Sequence, residues 1–294
     1  MRPLVQLRQD FEVSRTLGDI IDVLKTAATI QFRTLQQKEK FNETFSKEIN
    51  LCIKILLEKK VKHPYLLERK ELKSTIVVVT SDEGFLGGLN TLLINKTMDQ
   101  KHSPNDEIVV LGERGARYLE DLNQKFIFFP GVTDQVRYEE VTKVRDYLLN
   151  GYRKNIGRII IVYPEFVSLT LQRVTAMKFL PWTPEVHLNN DDVALKAQFS
   201  KIFLDEVLIE PDNRWVLEAV IDLWSGYKLQ DIFWSAKQSE FAARIMHLEG
   251  STQELNFLTH KLSLEYFRQI HALKDKIIRE ISASKILLGR QKAE

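Results

Sequence analysis

A chain of 294 residues with 44% apolar side chains can fill a substantial core, as one large domain or two ordinary ones. Its net charge of +2 and isoelectric point near 8.4 provide no basic field for nucleic acid, and its single cysteine, Cys52, forbids an internal disulfide and suits a reducing compartment such as the cytoplasm. No apolar run approaches the roughly 20 residues of a membrane-spanning helix, and Met1 to Glu12, with charges throughout and no apolar stretch, does not read as a secretory signal.

Proline and glycine divide the chain into three parts, 1–63, 64–211 and 212–294. Between Pro3 and Pro64 the only breaker is Gly18, so the first part reads as a long helix. Its apolar stripe runs through Ile20, Leu24, Ala27, Leu35, Phe41, Phe45, Ile49, Ile53 and Leu56, mostly at three- or four-residue steps.

The middle part holds the remaining prolines and most glycines among short apolar runs, the pattern of an α/β domain. Thr75 to Thr80 is a β-branched run fit for a buried strand, followed by the turn Ser81-Asp82-Glu83-Gly84 and a helix from Phe85 onward. Ile108 to Leu111, Phe126 to Phe129 and Ile159 to Tyr163 are further buried strands, with helical patterns around Arg114 to Asp121 and Glu139 to Leu149 between them. Three such crossovers imply a mainly parallel, Rossmann-like sheet. Ser168 to Phe179 and Val207 to Ile209 read as added strands of open direction.

After Pro211 there is no proline, and Asp212 is placed to cap a final long helix. Leu255, Leu258, Leu262, Tyr266, Ile270, Leu273, Ile277 and Ile281 form its stripe, with a spacing near the ~3.67 residues of an 11-residue repeat. At 1.5 Å per residue the two flanking helices would be about 70 and about 110 Å long, more than a compact domain is wide. A projecting striped helix needs a partner to bury its apolar face. Because the α/β part joins the end of one helix to the start of the other, the expected arrangement is an antiparallel coiled coil on a globular foot, with Ala27, Ala28, Ala242 and Ala243 permitting close approach. Folding of both stripes into an ordinary helical bundle is the alternative.

The motif with most chemical promise is Gly84-Phe85-Leu86-Gly87-Gly88-Leu89-Asn90, since glycines ahead of a helix let backbone amides approach a phosphate. It matches neither the dinucleotide fingerprint nor the Walker loop, and Asp82 and Glu83 oppose an anion, which favours a tight structural turn. His63, His102, His187, His247, His260 and His271 have no partners at metal-ligand spacing, so neither metal nor cofactor is expected. No nucleophile elbow accompanies the serines. Trp182, Trp215, Trp224 and Trp234 read as core or interface anchors. Lys274, Lys276, Arg279, Lys285, Arg290 and Lys292 are a solvated face unless partners enclose the helix end.

Thr80 to Asn90 resembles the Ser-Asp-x-Gly-Leu-Cys-Gly-Gly-Leu-Asn hallmark of F-type ATP synthase gamma subunits. Ser239-Glu240-Phe241-Ala242-Ala243-Arg244-Ile245-Met246 is similar to that family's Ser-Glu-x-Ala-Ala-Arg-Met signature, Glu210-Pro211 to the Glu-Pro opening its last helix, and Ile20 to Ala28 to a first-helix segment with Lys25 retained. The resemblance implies a non-catalytic central stalk. Its coiled coil would stand inside a ring of alpha and beta subunits, and its foot would rest on the membrane c-ring beside an epsilon-type subunit. Membrane association would then come through the complex alone, at the inner face of the plasma membrane. Carried over residue by residue, Lys25, Arg244 and Glu280 are candidate ring contacts, with His271 and Asp275 added by position. Ser81, Asp82, Gly84, Gly87, Gly88 and Asn90 form a structural motif of the foot. Ile270-His271 stands where the family has Arg-Gln, Ile277 where it has Glu, Glu83 where it has Arg and Leu86 where it has Cys, which marks a divergent member or an alternative F-type ATPase. A small α/β nucleotide-binding protein and a non-rotary coiled-coil scaffold are the competing readings.

Overall fold

A computed structural model describes residues 3–37, 42–59, 61, 63–67, 69, 71–183 and 208–291. In chain order the elements are helices α1 (Leu4–Gln36) and α2 (Asn42–Glu58), strand β1 (Lys73–Val79), α3 (Leu89–Gln100), β2 (Glu107–Leu111), α4 (Glu113–Asp121), β3 (Phe126–Phe129), α5 (Tyr138–Lys154), β4 (Ile156–Phe166), β5 (Gln172–Leu180) and α6 (Asn213–Gln291). They form two compact units: a helical one made of Met1–Ala28 and Ile245–Glu294, and a sheet unit made of Thr29–Arg244. The breakers at Pro64 and Pro211 mark element changes along the chain, whereas packing divides the units within α1 and α6.

The sheet has the order β3-β2-β1-β4-β5. The first four strands are parallel and β5 is antiparallel to β4. The direction of β5 follows from its connection, because residues 167–171 are too few for a crossover and close a turn in which Val167 N donates to Leu171 O. Both faces are covered, which is why the strands read as continuous apolar runs rather than alternating ones. On one face Ile76, Val78, Ile108, Val110, Ile160 and Val162 pack with Leu89, Leu93 and Ile94 of α3 and Ala116 and Leu119 of α4. On the other, Val77, Val79, Val109, Leu111, Ile159 and Ile161 meet α5, the α2 residues Ile49, Ile53 and Leu56, and the α6 residues Leu217, Ile221, Leu229, Ile232 and Phe233. The second half of the expected N-terminal stripe thus serves the sheet core. Residues 38–41, between α1 and α2, lie outside the described set, and so does Phe41 of that stripe. Of the expected strand Val207 to Ile209, Val207 lies outside the described residues, and Leu208 and Ile209 are not in a strand. His187 also falls outside.

In the helical unit, α1 and α6 run antiparallel. Ser14 Oγ lies 2.5 Å from Thr259 Oγ1, a side chain at Gly18 would meet Leu255 Cδ2 at 3.6 Å, and Lys25 Nζ donates to Glu249 Oε2 at 3.1 Å. Each step forward on one helix is matched by a step back on the other. Within residues 4–28 of α1, Leu7, Ser14 and Ala28 are buried and Phe11, Gly18, Ile21 and Lys25 half-buried, an alternation of three and four residues, with Leu24 half-buried beside it. This seam is one position away from the expected stripe, and Ile20 is 51% exposed. A hydrophobicity count passes over Ser14, Gly18 and Lys25, so it selects the neighbouring row. On α6 the partner row is Leu248, Thr252, Leu255, Thr259, Leu262 and Tyr266, while Leu258 is turned outward. Asp212 caps α6 as expected, with Oδ2 accepting from Arg214 N at 3.1 Å.

One carboxylate anchors the approach to the sheet. Asp106 Oδ1 accepts from Ser74 N at 2.9 Å, while Oδ2 accepts from His102 N at 3.0 Å and Ser103 N at 2.8 Å. Burial pushes this carboxyl up, but the three backbone donors, helped by the Arg158 charge, outweigh it and hold it below the usual range. With the folded value the lower one, the stabilisation is complete above the unfolded aspartate value of about 3.9 and drains as pH falls through the folded value. Asp106→Ala should therefore cost about 3 kcal/mol at pH 7, read as a lower urea midpoint with an unchanged slope, and the deficit should shrink as pH drops below about 4.

Candidate functional site

In an open sheet of this order the chain leaves β1 toward β2 and β3 and returns on the other side of β1 as β4. The crevice beyond the ends of β1 and β4 is the topological switch point where doubly wound proteins bind ligands. The glycine-rich segment lies there, between β1 and α3. Its geometry is that of a braced turn. Phe85 has φ 64° and Gly87 φ 58°, left-handed values that interrupt any helix, so α3 starts at Leu89 rather than at Phe85. Asn90 Nδ2 donates to Ser81 Oγ at 2.9 Å, and Ser81 Oγ donates to Glu83 O at 2.8 Å, closing the loop on itself. Asp82 Oδ1 accepts from Glu113 N at 2.8 Å and Gly131 N at 3.2 Å, which caps α4 and ties in the loop after β3. Gly84 faces the Arg114 guanidinium, at 3.1 Å from where a side chain would begin, whereas Gly88 has open space there. Of the glycines in this motif, Gly87 is the one whose backbone angle calls for the residue type.

The crevice is filled by the chain's own C-terminal helix. Ser239 Oγ of α6 donates to Pro164 O at 3.0 Å and Ser235 Oγ accepts from Phe166 N at 3.0 Å, both on β4. What is left between the loop and the helix is a gap of about 10 Å³ lined by Ser81, Asn90, Lys237 and Glu240 among others, room for one water and not for a phosphate group.

Three ionised side chains line the inserted face of α6. Glu240 accepts from Lys237 Nζ through Oε2 and from Arg244 Nη2 through Oε1, each at 2.8 Å, and all three side chains are 8% exposed. Outside the helix, Lys237 Nζ lies 3.4 Å from Asp134 Oδ1, and Arg244 Nη2 lies 3.0 Å from Glu83 Oε2, with Arg244 Nε donating to Gly84 O at 3.4 Å. Phe241 is wedged beneath both cations, 5.4 Å from Lys237 Nζ and 5.5 Å from the Arg244 guanidinium carbon. Arg244, read from the sequence as a ring contact, is directed into the sheet unit. Sequence reasoning passed over Lys237 and named Glu240 only within the signature segment, without a role. Their spacing to Arg244, three residues and then four, was a readable signal for a helical charge row.

The helical unit holds the other candidates. Lys25 pairs with Glu249 and also lies 3.4 Å from Asp22 Oδ1. The hydrogen bond to Glu249 comes first in raising the lysine's pKa, and the same bond lowers the glutamate's. On α6 every residue from His271 to Ser284 is exposed. At the pairing register Leu4 lies near position 269, so α1 offers no cover further along α6. This stretch carries His271, Asp275 and Glu280, the last 3.9 Å from Lys276 Nζ, together with Leu273, Ile277, Ile278 and Ile281 at 47, 53, 60 and 50% exposure. The side chains of Lys285 and Arg290, and all of Lys292, lie outside the described residues. Among the described residues no group of three His, Cys, Asp or Glu is placed to hold a metal, and no helix is long and apolar enough to cross a membrane.

The chain is similar along its length to proteins called ATP synthase gamma chain. One from Clostridium novyi is 29% identical over 300 residues, covering 99% of this chain and 98% of that one. Another, from Clostridium kluyveri, is 25% identical over 289 residues and covers 95% of both. The fold matches a chain in the OSCP/F1/c-ring assembly of the Euglena gracilis mitochondrial ATP synthase, with a TM-score of 0.69, 14% identity, and coverage of 98% of this chain and 95% of that chain. The family described as ATP synthase matches residues 4–283, so the chain is a member of the ATP synthase family.

Proposed function

We propose that this protein is the gamma subunit of an F-type ATP synthase or ATPase, the turning central shaft that couples ion flow through a membrane ring to ATP synthesis or hydrolysis. The observation that carries this reading is the end-to-end likeness to chains named ATP synthase gamma chain. The paired helices of α1 and α6 support it physically, because a torque-bearing element needs stiffness, and two helices locked by a three-four seam bend less than one.

The shaft itself performs no chemistry. Its partners are the alpha and beta subunits, whose nucleotide sites it biases in turn as its uneven surface rotates, the c-ring, and an epsilon-type subunit. Each beta subunit changes state only to the extent that the shaft contacts its conformations differently. The exposed stretch from His271 to Ser284 suits such contact, since four half-exposed aliphatic side chains that no described residue covers gain by enclosure. His271, Asp275 and Glu280 are the polar contacts in that stretch, and Lys25 contributes where α1 borders α6. Arg244 acts indirectly, through the loop it holds. The complex places the protein at the cytoplasmic face of the plasma membrane. The switch-point crevice, filled by Ser235 to Arg244, argues against the nucleotide-binding alternative.

Co-expression with alpha and beta subunits is the direct test, and failure to form a ring-bound complex with ATPase activity would overturn the reading. Leu262→Pro should break α6 within the seam, at a cost of about 3 kcal/mol or more, and abolish ATP-driven ion pumping. Pumping at the parental rate would remove the rigid-shaft role. Reversing Asp275 and Glu280 together to lysine should leave thermal stability within about 0.5 kcal/mol, since these charges are exposed, while lowering the ions pumped per ATP hydrolysed.

A further inference from the structure

Lys237, Glu240 and Arg244 pose a question that stability does not answer. A row of buried ions on a helix is seldom better than well-packed apolar residues of the same size, and the positions between them show that apolar residues fit this surface, with Phe241 and Ala242 fully buried. What the ions add is direction. Lys237 reaches Asp134 in the loop after β3, a residue that also accepts from Gln31 Nε2 of α1 at 2.8 Å. Arg244 reaches Glu83 and the carbonyl of Gly84 in the glycine loop. Glu240 joins the two cations, so neither can move without uncovering a buried carboxylate.

The residue immediately after Gly84 is the one under strain. Phe85 keeps a left-handed backbone at φ 64° although it carries a side chain, and that side chain is 56% exposed. A non-glycine residue persists there only when its surroundings over-determine the backbone. The Asn90–Ser81–Glu83 bonds brace the loop at its base, and the Arg244 contacts to Glu83 and Gly84 are made directly before the strained position.

We infer that Lys237, Glu240 and Arg244 form an ionic latch that locks the glycine loop to the C-terminal helix and thereby sets the presentation of Phe85 on the sheet unit. Arg244 is its positioning residue. Arginine suits the place because its planar guanidinium presents Nη2 to Glu240 and Glu83 and Nε to the Gly84 carbonyl, a fixed spread of donors that a single ammonium nitrogen lacks. In this chain Glu83, 3.0 Å from Arg244 Nη2, supplies the outer half of the latch. The latch's contribution to coupling rests on the rotor reading above; its action on the loop does not.

The test uses the full-length chain with Glu83→Gln, Arg244→Lys and Glu83→Asp. Hydrogen exchange of the amides from Glu83 to Gly87 in the purified protein should rise at least threefold in the first two variants, with β1 and β4 unchanged, and Glu83→Asp should stay near the parental rate. In the complex assembled with alpha and beta subunits and the membrane ring, the first two variants should lower ions pumped per ATP hydrolysed at least twofold while ATP hydrolysis continues. Unchanged loop exchange in both variants would overturn the latch, and faster exchange with unchanged pumping would overturn its part in coupling. If the parental chain fails to assemble, the rotor reading falls, and the exchange measurement still decides whether the latch exists.

Discussion

The constraint on which the sheet unit depends is the insertion of α6 into the switch-point crevice. A parallel sheet with this order leaves an opening past the ends of β1 and β4, and an opening in a protein must be filled or solvated. Here Ser235 to Arg244 fill it. The serines at 235 and 239 satisfy β4 backbone groups that would otherwise need water, and the alanines at 236, 242 and 243 keep the helix backbone close to the sheet. The same insertion removes the space a bound phosphate would need.

From that placement the rest of the glycine loop follows. Once a helix occupies the crevice, the turn after β1 cannot wrap a ligand and instead packs against the helix surface. Asp82 then becomes a structural acceptor for two backbone amides, and Ser81 and Asn90 brace each other.

In the helical unit the governing fact is that one helix outlasts the other. Where α1 covers α6, polar residues such as Ser14, Thr259, Lys25 and Glu249 sit in or beside the seam and fix its register, as polar residues in coiled-coil cores do. Past Ile270 the same helix displays apolar side chains on an uncovered surface. Stiffness and an unsatisfied surface on one element are what a shaft gripped by other subunits requires.

Much of this was legible in the amino-acid order. The breaker-free ends, the β-branched runs and the Asp212 cap gave helices, strands and a parallel sheet, because backbone preference and period are local properties of neighbouring residues. The two signature segments, Thr80 to Asn90 and Ser239 to Met246, pointed to the family. The seam was misplaced by one residue because Ser14 is buried, and Gly18 and Lys25 are half-covered, by a partner more than two hundred positions away, and no local hydrophobicity count contains that partner. Arg244 was read as a ring contact although it is directed into the sheet unit, since a charged residue on a helix points to solvent or to a buried carboxylate depending on what packs beside it. Local chemistry determined the elements; which face each presents was decided by long-range packing, where a single register serves every burial requirement at once.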